Sequence, residues 1–192
     1  MNQSEPPEFE PLTRTQVLIA MAVTAIILLV VAKVWQSLGS VRMLALQFNL
    51  NAVLWGLGLA GAISIASAIV HRLWPAYRRS ANYYLELVIK PLMWPDLIWL
   101  GLLPGLSEEL LFRGVMLPAF GLNIAAVILS SIFFGVLHLS GMQQWPYMIW
   151  ATIVGGILGF SAIATGNLLV PIVAHVVTNF VSGCWWKSGT HR

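Results

Sequence analysis

Six polar residues stand inside otherwise apolar stretches of this chain: Glu108, Glu109, Arg113, His138, His175 and Asn179. Their spacing is helical. His175 and Asn179 are four residues apart and project from one helical face. Glu109 and Arg113 have the same spacing with the acid first, the favourable order for a same-face ion pair. Glu108, one residue earlier, points about 100° away. One carboxylate can therefore be neutralised by Arg113 while the other faces elsewhere. Phe134 and His138 repeat the spacing, so an aromatic ring should sit beside the imidazole and limit its motion. The chemistry such a set could perform is hydrolysis. A carboxylate and a histidine can take a proton from water. A second histidine and an asparagine amide can donate hydrogen bonds to an oxyanion. Alternatively, Glu108, His138 and His175 could bind zinc and leave one position for water. Asp96 is the only aspartate, so no Ser-His-Asp arrangement is evident, and H-E-x-x-H is absent.

The elements that must position these residues are apolar runs. Segments one (16–35) and two (50–70) are continuous and of spanning length, about 20 residues. The polar stretch after Val70 contains a candidate interfacial helix over 80–89. Segment three starts near Leu97 and is interrupted by Pro104-Gly105, where a kink or a new helix start is expected, with Ser107 as a cap. Segments four (123–138), five (146–164) and six (168–186) follow. Gly155, Gly156 and Gly159 suit close helix packing. At about 1.5 Å per residue, Glu108, His138 and His175 lie roughly 18, 24 and 10 Å from the membrane side on which segment three ends. Tilt and the kink absorb part of that spread, so a shared cavity is expected.

The surroundings of the set are lipid. The 192 residues are 58% hydrophobic and only 9% charged, and the mean hydropathy is +0.82. A soluble domain carries about a quarter charged residues. This excludes a soluble globular domain, a disordered chain and a nucleic-acid-binding module. An ionisable group inside a membrane costs about 3 kcal/mol even on lenient scales, so such groups pair, face a cavity or mark function. The expected fold is all-α: a polytopic helical bundle of about six spans, the third kinked near Pro104. The net charge of +3 reflects cations flanking apolar segments. Arg14, Arg72, Arg78, Arg79, Lys90, Lys187 and Arg192 fall on one side, and only Lys33 and Arg42 on the other. The positive-inside rule then places both termini in the cytoplasm. The start, with Glu5, Glu8 and Glu10, lacks a basic n-region, so the first helix is expected to stay as an anchor. The single cysteine, Cys184, sits beside Trp185 and Trp186 and reads as a helix-end residue. Asp96 reads as a helix cap. The chain divides into a tail (1–15), two helices with a basic loop (16–93), a core carrying the site (94–186) and a second tail (187–192).

Glu108-Glu109-x-x-x-Arg113, Phe134-x-x-x-His138 and His175-x-x-x-Asn179, in this order on apolar segments, resemble the three motifs of the CAAX protease and bacteriocin-processing family, which includes the CAAX prenyl endopeptidase. The resemblance covers roughly 97–186. It implies an integral-membrane endopeptidase with a buried site. Glu108 would activate water with His138, His175 and Asn179 would stabilise the oxyanion, and Glu109, Arg113 and Phe134 would support them. Members are often named metalloproteases. The glutamate-dependent mechanism, favoured here, requires no metal, and zinc on Glu108, His138 and His175 is the alternative. The implied substrate is a membrane protein or lipid-associated peptide. This chain is much shorter than the eukaryotic enzyme, which puts prenylated substrates in question.

Two other classes compete with the endopeptidase. One is a non-proteolytic membrane protein that protects or assembles a partner complex. The other is a proton-coupled transporter using the buried acids as a relay, which would not require an asparagine one turn from a histidine.

Overall fold

A computed structural model describes residues 12–189. The outer parts of both expected tails, with Glu5, Glu8, Glu10, His191 and Arg192, lie outside the described residues. The long helices are α1 (Arg14–Leu38), α2 (Leu50–Leu73), α3 (Pro75–Ile89) and α4 (Leu97–Glu109). After α4 come a π-helical turn (Leu110–Met116) and a short helical turn (Leu117–Ala119). The chain then forms α5 (Ile124–Leu137), α6 (Trp145–Thr165) and α7 (Leu169–Gly189). Among the described residues there is no strand.

Local chemistry sets the helix starts. Thr13 and Gln16 form a capping box at α1. Asn49 and Asn123 accept the Ala52 and Ala126 backbone N–H groups at 2.8 and 2.9 Å. Pro75 and Pro146 occupy first-turn positions that need no backbone donor.

Among the described residues, α1, α2, α6 with its leading turn, and α7 are long and apolar enough to cross a membrane. A fifth span is reached if α3 and the helix after it, bent by 109° at the break, are taken as one. The fourth expected segment is α5, whose 14 residues fall short of the about 20 that a full crossing needs. The count of six is thus approximate, while the all-helical bundle is as the sequence implies.

Two local expectations change and a third is refined. Helix α4 continues across Pro104, and no new helix starts there. The departure from α-geometry comes later, at 110–116, where the Leu117 N–H bonds the Phe112 carbonyl. Ser107 does not cap. Its hydroxyl donates to the Leu103 carbonyl at 2.7 Å, because within a running helix that acceptor is the one in reach. Asp96 does cap, but its side chain serves the 3-10 turn Trp94–Asp96 and makes no cap hydrogen bond to α4, whose N-cap position it occupies. Its carboxylate accepts from the Met93 N–H at 2.7 Å and from two nitrogens of Arg14, each at 2.7 Å.

Helix α7 is central and packs against α2, α3, α4 and α6, while α5 packs on α6. The extended segment between α1 and α2 lies across the far end. The Leu44 N–H bonds the Gly114 carbonyl at 3.0 Å, and the Leu168 N–H bonds Ala45 at 2.8 Å. Asn167 exchanges two hydrogen bonds with the Gln47 backbone.

Candidate active site

The site forms where the end of α4, the end of α5 and the middle of α7 meet. Glu109 and Arg113 are fully buried, with side-chain exposure of 0% each. Glu109 Oε1 accepts from Arg113 Nη1 at 2.8 Å and from His175 Nδ1 at 2.8 Å. Arg113 Nη2 donates to the Gly155 carbonyl at 2.8 Å. The guanidinium carbon lies 4.4 Å from the centre of the Phe134 ring, a cation–π contact. A buried carboxylate needs a cation and hydrogen bonds to offset its lost hydration. Arg113 and His175 supply both.

Glu108 points the other way, towards α5. Its Oε2 lies 3.8 Å from His138 Nε2, beyond hydrogen-bond length. His138 Nδ1 donates to the Phe134 carbonyl at 2.8 Å. In the neutral ring that bond leaves the lone pair on Nε2, facing Glu108. Glu108 Oε2 is buried with no hydrogen-bond partner. With that ring neutral and Glu108 ionised, two acceptors face each other here.

Phe134 holds the histidines apart. Its ring centre is 4.7 Å from that of His138 and 5.6 Å from that of His175. A small cavity of about 90 Å³ is bounded by His138, His175, Asn179, Tyr147 and Phe134. That exceeds the roughly 10–15 Å³ one water requires. The Asn179 amide reaches this cavity half-buried, with no protein hydrogen bond among the described residues.

The fold thus joins Glu108 with His138 and Glu109 with Arg113 and His175, and it sets Asn179 beside both histidines. The zinc set does not assemble. His175 turns Nδ1 to Glu109, and among the described residues no three His, Cys, Asp or Glu groups converge as ligands. Two participants were missed in the sequence. One is the Gly155 carbonyl, since a backbone acceptor carries no residue signature. The other is Tyr147, whose ring lies 6.2 Å from that of His138 and stacks on Tyr84 at 4.7 Å. The glycines do pack as expected: a Cβ on Gly155 would lie 3.1 Å from Phe134 and 3.2 Å from Arg113 Nη2.

Fold and site together define a class: an all-helical membrane bundle enclosing a buried glutamate–histidine site. Residues 90–181 match the family described as type II CAAX prenyl endopeptidase Rce1-like. This stretch, 92 of the 192 residues, holds every site residue above. A relative from Bacillus subtilis (strain 168), described as uncharacterized protein YpbD, is 29% identical over 136 residues, covering 71% of this chain and 69% of its own length. No solved structure matches the chain.

Proposed function

We propose that this protein is an endopeptidase that cuts membrane-associated peptides with a water activated by Glu108 and His138. The observation that carries the reading is the convergence of Glu108 Oε2 and His138 Nε2, 3.8 Å apart, with the carboxylate oxygen buried and unpartnered. One water can donate a proton to each acceptor. Its oxygen then attacks the scissile carbonyl carbon while its proton passes to Glu108. The tetrahedral oxyanion takes an N–H from Asn179. His175 can add a second from Nε2 only in its doubly protonated state, because its Nδ1–H is committed to Glu109. When the C–N bond breaks, the proton held by the Glu108–His138 pair goes to the leaving amine. Glu109, Arg113 and Phe134 set the positions of both imidazoles. No step calls for a metal.

New N-termini in membranes from cells carrying wild type or Glu108→Gln at equal levels test this. Peptides appearing only with wild type are expected. If both proteins insert stably and the two sets of N-termini are the same, proteolysis is lost as a reading. A non-proteolytic role beside a partner complex then takes its place.

A further inference from the structure

A second, larger cavity of about 870 Å³ opens between α2, α3 and the last turns of α7. Ligand sites span roughly 300–1,000 Å³, so this one is ample. Ser67, Tyr77, Ala81, Leu85, Thr178 and Ser182 line it and also line the small cavity at the site. The two cavities are therefore neighbours across these six residues, with Thr178 and Ser182 forming the α7 side of the shared wall.

Several hydroxyls of the bundle bond within their own helix, whereas two buried ones, Thr178 Oγ1 on the shared wall and Ser130 Oγ on α5, do not. Ser107, Ser131, Thr152, Thr165 and Ser188 each donate to the carbonyl four residues earlier in their own helix, the usual way to satisfy a helical hydroxyl. Thr178 Oγ1 is buried and has no partner at all. Ser182 likewise makes no side-chain hydrogen bond among the described residues. Ser67 accepts from Trp150 Nε1 at 3.1 Å, which leaves its own O–H free to donate. With His175 and Asn179, Thr178 and Ser182 occupy positions i, i+3, i+4 and i+7, one polar stripe on α7.

We infer that this stripe is a track on which a substrate enters as an extended strand, its backbone amides bonded by Thr178 and Ser182 and its scissile bond delivered to Glu108 and His138. The inference deepens the endopeptidase reading and rests on it. An extended chain brings unpaired backbone N–H and C=O groups into an apolar setting, where each left unmet costs several kcal/mol. A transmembrane helix meets its own backbone needs and has no use for such hydroxyls. The substrate class is therefore a polar, unfolded peptide segment arriving through the wide cavity, not an intact membrane helix.

The test uses the full chain in nanodiscs. In a Cys184→Ser background, Ser182→Cys should react with a charged methanethiosulfonate reagent, and Ile65→Cys, on the exposed outer face of α2, should not. A pool of mixed, water-soluble decapeptides should slow the Ser182→Cys reaction at least threefold. An equal concentration of a hydrophobic helical peptide should leave it unchanged. Thr178→Val should raise the pool concentration giving half-protection about fivefold, the size of one neutral hydrogen bond, and Thr178→Ser should restore it. A thiol at 182 that is unreactive, unprotected by the pool, or protected equally by the helical peptide overturns the track. Wild-type half-protection in Thr178→Val removes Thr178 from it. Repeating the protection with Glu108→Gln separates the two readings. If protection persists but wild type releases no fragments from the pool, the endopeptidase fails and the track stands.

Discussion

At the scale of single residues, the two adjacent glutamates take different partners because helix geometry turns them apart. Glu109 is a structural charge. It is fully buried, and its partners are Arg113 and His175. Glu108 keeps an oxygen without a donor. The consequence for mutation is asymmetric. Arg113→Met leaves a buried carboxylate with only an imidazole to compensate it, and should cost about 3–5 kcal/mol in unfolding from detergent. Adding Glu109→Gln removes the stranded charge and should recover more than half of that loss. Glu108→Gln, which strands nothing, should change stability by less than about 1 kcal/mol while abolishing cleavage. Unfolding curves of the four proteins decide this. A double variant as unstable as Arg113→Met would show that the pair matters through packing, not charge. The sequence carried the Glu109–Arg113 pairing, since both partners lie on one helix. It could not say that His175 joins Glu109 while His138 faces Glu108. That choice depends on how three helices are rotated and how deep each sits, which no spacing within one helix encodes.

At the scale of elements, the site depends on α4 and α7 approaching closely enough for Glu109 to reach His175. Gly101 and Gly105 make that approach. A Cβ at Gly105 would lie 3.0 Å from the Val176 backbone nitrogen and 3.1 Å from its Cα, and one at Gly101 2.8 Å from the Val176 carbonyl oxygen. Backbone cannot step aside, so Gly105→Ala must push the helices apart. The expected cost is about 1–3 kcal/mol, with loss of cleavage through a lengthened Glu109–His175 contact. Gly58→Ala is the control. Nothing lies within 4 Å of a Cβ there, and stability should stay within about 0.5 kcal/mol. Thermal melts of both variants in detergent measure this, and a neutral Gly105→Ala would remove close packing as the reason for the pairing. The existence of these helices was legible from their long apolar runs. The π-turn at 110–116 was not. Its carbonyl geometry depends on a partner distant in the chain, since the Gly114 carbonyl is taken up by the Leu44 N–H. Pro104, the evident irregularity in the sequence, is accommodated inside a running helix.

At the scale of the whole molecule, the contacts sort the charges. Arg14 grips Asp96, so α1 and α4 begin at the same end and run parallel. The wide cavity opens at this end too, with His71, Lys90 and Lys187 on its walls. Lys33, near the end of α1, and Arg42, in the segment that lies across Gly114 and Leu168, belong to the opposite end. The bundle is therefore polarised: the wide cavity and most of the cations share one face. The positive-inside rule predicts that this face is cytoplasmic. A reporter fused after Arg79 should read as cytoplasmic, and one after Arg42 as the opposite compartment. The reverse pattern would leave the Glu108–His138 geometry untouched but invert the supply of substrate. The track along Thr178 and Ser182 would then draw on peptides from outside the cytoplasm. Orientation thus decides which peptides the site can meet, independently of whether it can cut them.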